Sequence, residues 1–379
     1  MTISTTSPFK LHYGANLAEL LAAKIVSVYP AFRSDAFVQQ VAGGVEALEL
    51  KGRVHLIRDA LRDYLPGDYR DATALLLAIL GDELPAEDGM FNLGYWVMPI
   101  AAYVQAYGLD HFELSMRALY EITKRYSSEE AIRPYLVRYT DRVMPILHEW
   151  TADPSAHVRR LVSEGTRPRL PWAMHLPAFI ANPAPVLALL ERLKDDPSLY
   201  VRRSVANNLN DIAKDNPALV VETVSRWRSG ATAERDWLIK HALRHQIKQG
   251  NTAALAVLGF NAEHGITAQS FTLSPGRLPI GEPVTLHAAL HNPDAVAHAV
   301  VVDYVVHFIK AARAGTERTS PKVFKWTTLT LNPGESAPLA KRHAFRDVSV
   351  RTHYPGAHRI DLQINGRIAA SATVTLAAP

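Results

Sequence analysis

Cysteine is absent from the 379 residues. That excludes disulfides, thiolate zinc sites and cysteine nucleophiles, and it permits a reducing compartment. No apolar run reaches the roughly 18 residues a membrane span requires. The opening MTISTTSPFK has no apolar core of the signal-peptide kind. A cytoplasmic protein without a membrane partner is the expectation. The glycines form neither GxxxxGK[ST] nor GxGxxG, so no phosphate-cradling loop is indicated, and GxSxG and HExxH are missing too. Of the 16 histidines, His241 and His245 share a helical face but have no third ligand beside them, so no metal site is expected.

What is present is ordinary in amount and uneven in placement. Hydrophobic residues make up 48% and charged residues 21%, the composition of a globular protein, and the length favours two domains. The formal net charge of +4 divides into −5 over residues 1–150, +5 over 151–250 and +4 over the rest. An acidic front and a basic remainder point to a polyanion such as nucleic acid, with ordinary surface fluctuation as the plain alternative.

Residues 1–260 read as short helices punctuated by Pro, Gly, Asp and Asn. The expected segments are 17–29, 54–64, 71–80, 97–107, 111–125, 129–139, 142–150, 155–163, 172–181, 184–194, 198–213, 217–227 and 233–248. Within them D-P-S-x-x-V-R-R begins at Asp153 and again at Asp196, 43 positions on. Helix-pair repeats of the HEAT/armadillo kind have periods of about 40–47 residues, so stacked helix pairs are expected rather than a closed bundle. In such repeats an Asp and an Arg six residues apart pair between neighbours. This assigns Arg159 and Arg202 to a structural ladder and turns Arg160 and Arg203, about 100° round their helices, towards a ligand.

After about residue 262 short alternating segments take over, separated by Pro275-Gly276, Asn292-Pro293-Asp294, Asn332-Pro333-Gly334 and Asn365-Gly366. The last is a type I′ hairpin signal. About seven short strands read as an immunoglobulin-like sandwich without its disulfide. The expected architecture is therefore an all-α HEAT-like solenoid over 1–262 and an all-β immunoglobulin-like sandwich over 263–379. The loop 310–322, KAARAGTERTSPK, carries Lys310, Arg313, Arg318 and Lys322. It is either a solvated loop or a second phosphate contact.

Carboxylates give the chemical hint. Glu129, Glu164 and Asp211 lie 35 and 47 positions apart, about one helical repeat each. Acids so spaced can line one concave face among the basic residues of 153–172. Fixed carboxylates suit a reaction that builds positive charge, such as cleavage of a glycosidic bond through an oxocarbenium-like sugar. Each has a structural alternative. Ser127 and Glu130 form a capping box that places Glu129 at a helix start, Glu164 stands four after Arg160 as its helical partner, and Asp211 can close a turn. Trp172 is either a core anchor or an exposed ring that packs on a sugar or base.

Several stretches carry a resemblance: LAAKIVSVYPAF, LELKGRVHLIRDALRDYLP, YGLDHFELSMRALYEITKRYSSEEAIRPYL, HVRRLVSEGTRPRLPW and VRRSVANNLNDIAKDNP. Together they resemble the AlkC branch of the AlkC/AlkD DNA glycosylases over roughly residues 10–250, and PKVFKWTTLTLNPGES is similar to the immunoglobulin-like domain some AlkC proteins carry. The resemblance implies a monofunctional glycosylase for N-alkylated bases, 3-methyladenine and 3-methylcytosine among them, acting on duplex DNA without base flipping and without a cofactor. It implies Glu129, Glu164 and Asp211 as the family's acids and Trp172 as its aromatic. Many relatives have Phe where this chain has Glu130, which leaves Glu129 and Glu130 both open as the acid facing DNA. On this reading Arg160, Arg167, Arg169 and Arg203 hold phosphates and the protein is a monomer associated with the bacterial nucleoid. The alternative is a non-catalytic HEAT-like scaffold that binds DNA or an acidic protein.

Overall fold

The computed structural model describes residues 8–85, 87, 90–310, 318–346 and 352–378. Among these, sixteen α-helices lie between Ala15 and Val257 and eight strands between Thr267 and Ala377. A helical region followed by a β domain is the expected fold class. Packing divides the chain into two compact units at Asp215/Asn216. The expected division at 262 lies between the last helix and the first strand. The helices Pro217–Arg228, Ala233–Ala242, Arg244–Lys248 and Thr252–Val257 pack in the same unit as the strands.

Several helices of the first unit bury a stripe at three- and four-residue spacing. Leu50–Tyr64 buries Val54, Ile57, Ala60 and Leu61 and stops before Pro66. Tyr69–Ala78 begins where the Asp68 carboxylate accepts the backbone N–H groups of Arg70 and Asp71. The helix Ser34–Gly44 was not anticipated. It buries only Phe37 and Val41, and the pair Gly43-Gly44 reads locally as a turn. Tertiary packing of Phe37 against Phe32 and Tyr64 overrides that weak propensity.

Three other boundaries are corrected. The segment expected from 129 becomes helical only at Arg133, with Pro134 in its first turn, and Glu129 sits in the turn before it. The segment expected from 172 becomes helical only at Pro177, because Trp172 has φ +64 and no right-handed helix passes through it. The segment 233–248 is two helices.

The self-match at Asp153 and Asp196 has a physical basis. The helices Ala156–Gly165 and Leu199–Ile212 pack side by side. Arg159 crosses to the next copy, with Nε at 2.6 Å and Nη2 at 3.1 Å from the two Asp196 oxygens. Within each copy the arginine also folds back on its own turn. Arg159 donates to the carbonyls of Asp153 and Pro154, and Arg202 to those of Asp196 and Pro197.

The strands of the second unit are β1 (Thr267–Ser274), β2 (Arg277–Pro279), β3 (Pro283–His291), β4 (His298–Ile309), β5 (Thr319–Leu331), β6 (Ser336–Ala344), β7 (Gly356–Ile364) and β8 (Arg367–Ala377). They form sheets of order β1-β3-β6 and β2-β8-β7-β4-β5. Alternate residues, among them Val284, Leu286 and Leu290 on β3 and Val300, Val302 and Val306 on β4, build one core with Trp326 and Phe345. The strand beyond the expected seven is β2, three residues long and parallel to β8. Asn365 and Gly366 have φ +46 and +82, the two left-handed residues of a type I′ hairpin. This hairpin is clasped by the preceding helices. The Asn365 side chain donates to the Asn261 carbonyl at 2.6 Å, and a Cβ on Gly366 would fall 2.2 Å from the Gly250 carbonyl oxygen.

Asp196 is nearly inaccessible, so removing its cation strands a buried charge. Arg159→Met is expected to lower the unfolding free energy by ~3 kcal/mol, read from urea denaturation. A loss within measurement error would show that the interhelical ladder is decorative.

Candidate active site

The three acids singled out by spacing are joined by the arginines between them. Glu129 Oε2 accepts from Arg160 Nη1 at 2.7 Å and from the Ser127 hydroxyl at 2.6 Å. Arg160 Nη2 lies 3.7 Å from Glu164 Oε1, which Arg167 Nη1 approaches to 2.6 Å. Arg167 continues to Asp211, with Nε and Nη2 both 2.7 Å from Oδ2. Lys214 Nζ closes the row 2.8 Å from Asp211 Oδ1. Glu129, Arg160, Glu164, Arg167, Asp211 and Lys214 thus alternate in charge. Ser204 donates to the remaining oxygen of Glu164 at 2.5 Å.

Burial sets the electrostatics. Glu164 is 5% exposed and Asp211 2%. Burial alone would raise the Glu164 carboxyl, but Arg160, Arg167 and the Ser204 hydroxyl more than offset it and hold the group below its ordinary value. Burial likewise works against the charge on Arg160. Glu129 and Glu164 reverse the effect and hold that guanidinium above its usual range. Tyr200, whose ring Arg160 covers at 4.9 Å, is pushed up to about 12, chiefly by burial.

The local expectations for these residues are therefore revised. There is no capping box at Ser127. Its hydroxyl engages the Glu129 carboxylate, and Glu130 pairs instead with Lys51 at 2.6 Å. Glu164 is the helical partner of Arg160 and at the same time the centre of the ladder. Asp211 sits inside the helix Leu199–Ile212 and satisfies cations rather than a turn. Arg160 and Arg167, expected on phosphates, are enclosed by carboxylates, and Arg169 makes a two-pronged pair with Asp215 at 2.6 and 2.7 Å. Arg203 is exposed.

Trp172 is no core anchor. It is 82% exposed and holds a left-handed backbone that tryptophan adopts only under constraint. Two cations supply the constraint. Lys51 donates to the Trp172 carbonyl as well as to Glu130. Arg133, wholly buried, donates Nε to the Met174 carbonyl at 2.7 Å and Nη1 to the Gly165 carbonyl at 2.9 Å. Burial, with Arg167 nearby, pushes the Arg133 guanidinium down to about 10. The loop is also closed on itself by Leu176 N–H donating to the Pro168 carbonyl.

Trp172 and Glu129 border one cavity of about 460 Å³, whose walls include Lys51, His55, Tyr126 and Glu130. Glu164 and Asp211 do not line it. They stand behind Glu129 along the charge ladder. In the second unit Lys310 and Arg318 are exposed. Lys322 lies on β5 opposite Val306, with its ammonium over the Phe324 ring, so the expected loop ends by Arg318. Arg313 lies outside the described residues. Among those residues no helix is long and apolar enough to cross a membrane and no acid/histidine group is placed to hold a metal.

Lys51, Arg133, Ser127 and Ser204 were missed as site residues. Lys51 stands 121 positions from Trp172, beyond the reach of any local pattern. For Arg133 the only signal was its place in EEAIRP beside the first acid.

The C-terminal residues 267–378 match the family described as the C-terminal Ig-like domain of the uncharacterised protein YhaZ. Over 357 residues the chain is 36% identical to the uncharacterized protein YhaZ of Bacillus subtilis (strain 168), spanning 94% of this chain and 96% of that protein. Among solved structures it is similar to Pseudomonas fluorescens alkylpurine DNA glycosylase AlkC bound to DNA containing an abasic site analog. The TM-score is 0.85 and the identity 34%, covering 98% of this chain and 100% of that one.

A carboxyl held low in the fold stabilises above its unfolded pKa and loses that contribution as pH falls through its folded value. Glu164, ordinary value 4.5, should therefore contribute fully at neutral pH and progressively less below about 4.5. Glu164→Gln is expected to be less stable at pH 7 by ~2–3 kcal/mol and to show a shallower acid limb in urea titrations between neutral and acid pH. Parallel acid limbs in the two proteins would contradict the assignment.

Proposed function

The chain belongs to the family of the AlkC alkylpurine DNA glycosylase, and from that premise we propose that it is a monofunctional DNA glycosylase that hydrolyses the N-glycosidic bond of N-alkylated bases in duplex DNA. The substrate class is 3-methyladenine and 3-methylcytosine. The observation that carries the reading is the pairing, on one cavity rim, of a carboxylate with a spare oxygen and a large aromatic ring held out in strained backbone. Glu129 Oε1 has no partner among the described residues, because both its hydroxyl and its guanidinium contacts go to Oε2.

The chemistry needs little more. A base alkylated at N3 is cationic, so the C1′–N bond breaks with its electron pair returning to the base, which leaves neutral without a general acid. The positive charge passes to the deoxyribose. Glu129, with the field of Glu164 and Asp211 behind it, stabilises that cation, and its spare oxygen orients the water whose oxygen bonds C1′ and whose proton is released. Trp172 packs on the lesion deoxyribose. Attack from the sugar side does not require the base to leave the stack, so excision proceeds without base flipping.

Arg160 and Arg167 have a different task from the phosphate contacts expected of them. They bridge the three acids into one row, and they hold the buried Glu164 in its charged form. Phosphate contacts fall to Arg169 and Arg203 at the surface, and in the sandwich to Lys310, Arg313, Arg318 and Lys322. The protein works as a monomer in the cytoplasm on nucleoid DNA, without cofactor.

Incubation with methylated duplex DNA should release free 3-methyladenine, detected chromatographically. No release by the wild-type protein at any salt concentration would sink the proposal in favour of a binding scaffold. Under single-turnover conditions Glu129→Gln is expected to slow release ~100-fold, the order seen when one preorganised electrostatic group is removed. Trp172→Ala should weaken lesion binding and slow release, while a wild-type rate in Glu129→Gln would overturn that residue's role.

A further inference from the structure

The cavity beside Trp172 holds more recognition chemistry than cleavage at the sugar uses. Its volume, about 460 Å³, falls within the about 300–1,000 Å³ of sites that take small organic molecules. One wall is aromatic. Phe91 stands edge-on between Phe9 and Tyr126, with ring centroids 5.9 and 6.2 Å apart, and it remains 60% exposed. The floor is the helix Met98–Tyr107, where Ala101 and Ala102 leave room for a ring to enter.

Polar groups on the same cavity lack hydrogen-bond partners among the described residues. They are the Gln105 amide, the His55 imidazole, Glu129 Oε1 and Glu130 Oε2. Burial, then Arg58, holds His55 below its ordinary value, so the imidazole is neutral at pH 7 and both donates and accepts. The Gln105 amide does the same. At the rim Lys51 and Glu130 neutralise each other. A chamber with aromatic faces, mixed donors and acceptors and little net charge fits a flat, uncharged heteroaromatic that bears ring nitrogens and an exocyclic amine.

We propose that this cavity is a receiving site for the excised base, binding the free alkylated purine once the C1′–N bond has broken. The inference rests on the excision reading above. The bond pair leaves with the base, so the base is neutral when it departs and needs no counter-charge from a lining whose carboxylates, Glu129 and Glu130, are already paired with Arg160 and Lys51. Its path is short, because Glu129 and Trp172, set against the sugar, also border the chamber.

The test uses the full-length protein without DNA and free 3-methyladenine as probe, with deoxyribose as control, followed by calorimetry and by quenching of tryptophan fluorescence. Wild type should bind the base saturably, and the base should inhibit excision competitively. Ala102→Phe fills the chamber and should weaken base binding ~tenfold or more. Gln105→Leu, on a half-exposed position that tolerates change, should weaken it several-fold with circular dichroism unchanged. Base release by wild type without saturable binding of free 3-methyladenine would overturn the receiving site and leave the excision reading intact. Wild-type affinity in both variants would overturn it as well, since the base would then bind elsewhere. Absence of base release overturns the excision reading by itself and is scored in the separate DNA assay.

Discussion

Two carboxylates buried in a helical core, Glu164 and Asp211, and a third at its edge, Glu129, are held by alternation with three cations. Taking an isolated carboxylate out of water is expensive enough that it would protonate instead. Arg160 and Arg167 hold Glu164 in its charged form, and Asp211 is bridged by Arg167 and Lys214. The arrangement has a cost for specificity as well as a benefit. Every member depends on the next, and the helices Ala156–Gly165 and Leu199–Ile212 must keep their spacing for the row to close. The structural pair Arg159–Asp196 couples the same two helices. Scaffold and site thus draw on one set of interhelical contacts.

The row ends at Glu129, and there the environment changes from enclosed to open. Glu129 lies in a turn rather than a helix, and one oxygen of its carboxylate is tied to Ser127 and Arg160 while the other has no hydrogen-bond partner among the described residues. Opposite it, Trp172 is pushed into water in a backbone state that costs of order 1–3 kcal/mol. Lys51 and Arg133 reach that loop from two other helices and offset the strain through backbone carbonyls. The proposed contact of Trp172 with the lesion deoxyribose rests on this exposed ring and its strained backbone.

Part of this was open to reading along the chain. The self-match at Asp153 and Asp196 led directly to the Arg159–Asp196 bridge, and the one-repeat spacing of Glu129, Glu164 and Asp211 brought those acids into one connected row. The hairpin at Asn365-Gly366 followed from two residues that accept positive φ. What failed did so for definite reasons. Spacing assigns a residue to a face but not to a partner, so Arg160 and Arg167 were read as phosphate ligands although Glu129, 31 positions from Arg160, and Asp211, 44 positions from Arg167, are brought against them by packing. The helix Ser34–Gly44 was hidden by two glycines, and the helical reading at 172 ignored a backbone state no local propensity predicts.

The sequence by itself determined the class of the fold and the placing of the acids, because both rest on periodicity, and periodicity is a local property of the chain. Only the tertiary structure decided which acid keeps a free oxygen, which arginines are already engaged, and that Trp172 stands in solvent beside a cavity. Those outcomes depend on contacts between residues tens of positions apart, such as Lys51 with Trp172 and Glu164 with Ser204. Burial and competition for charge select among such contacts only once the helices have packed.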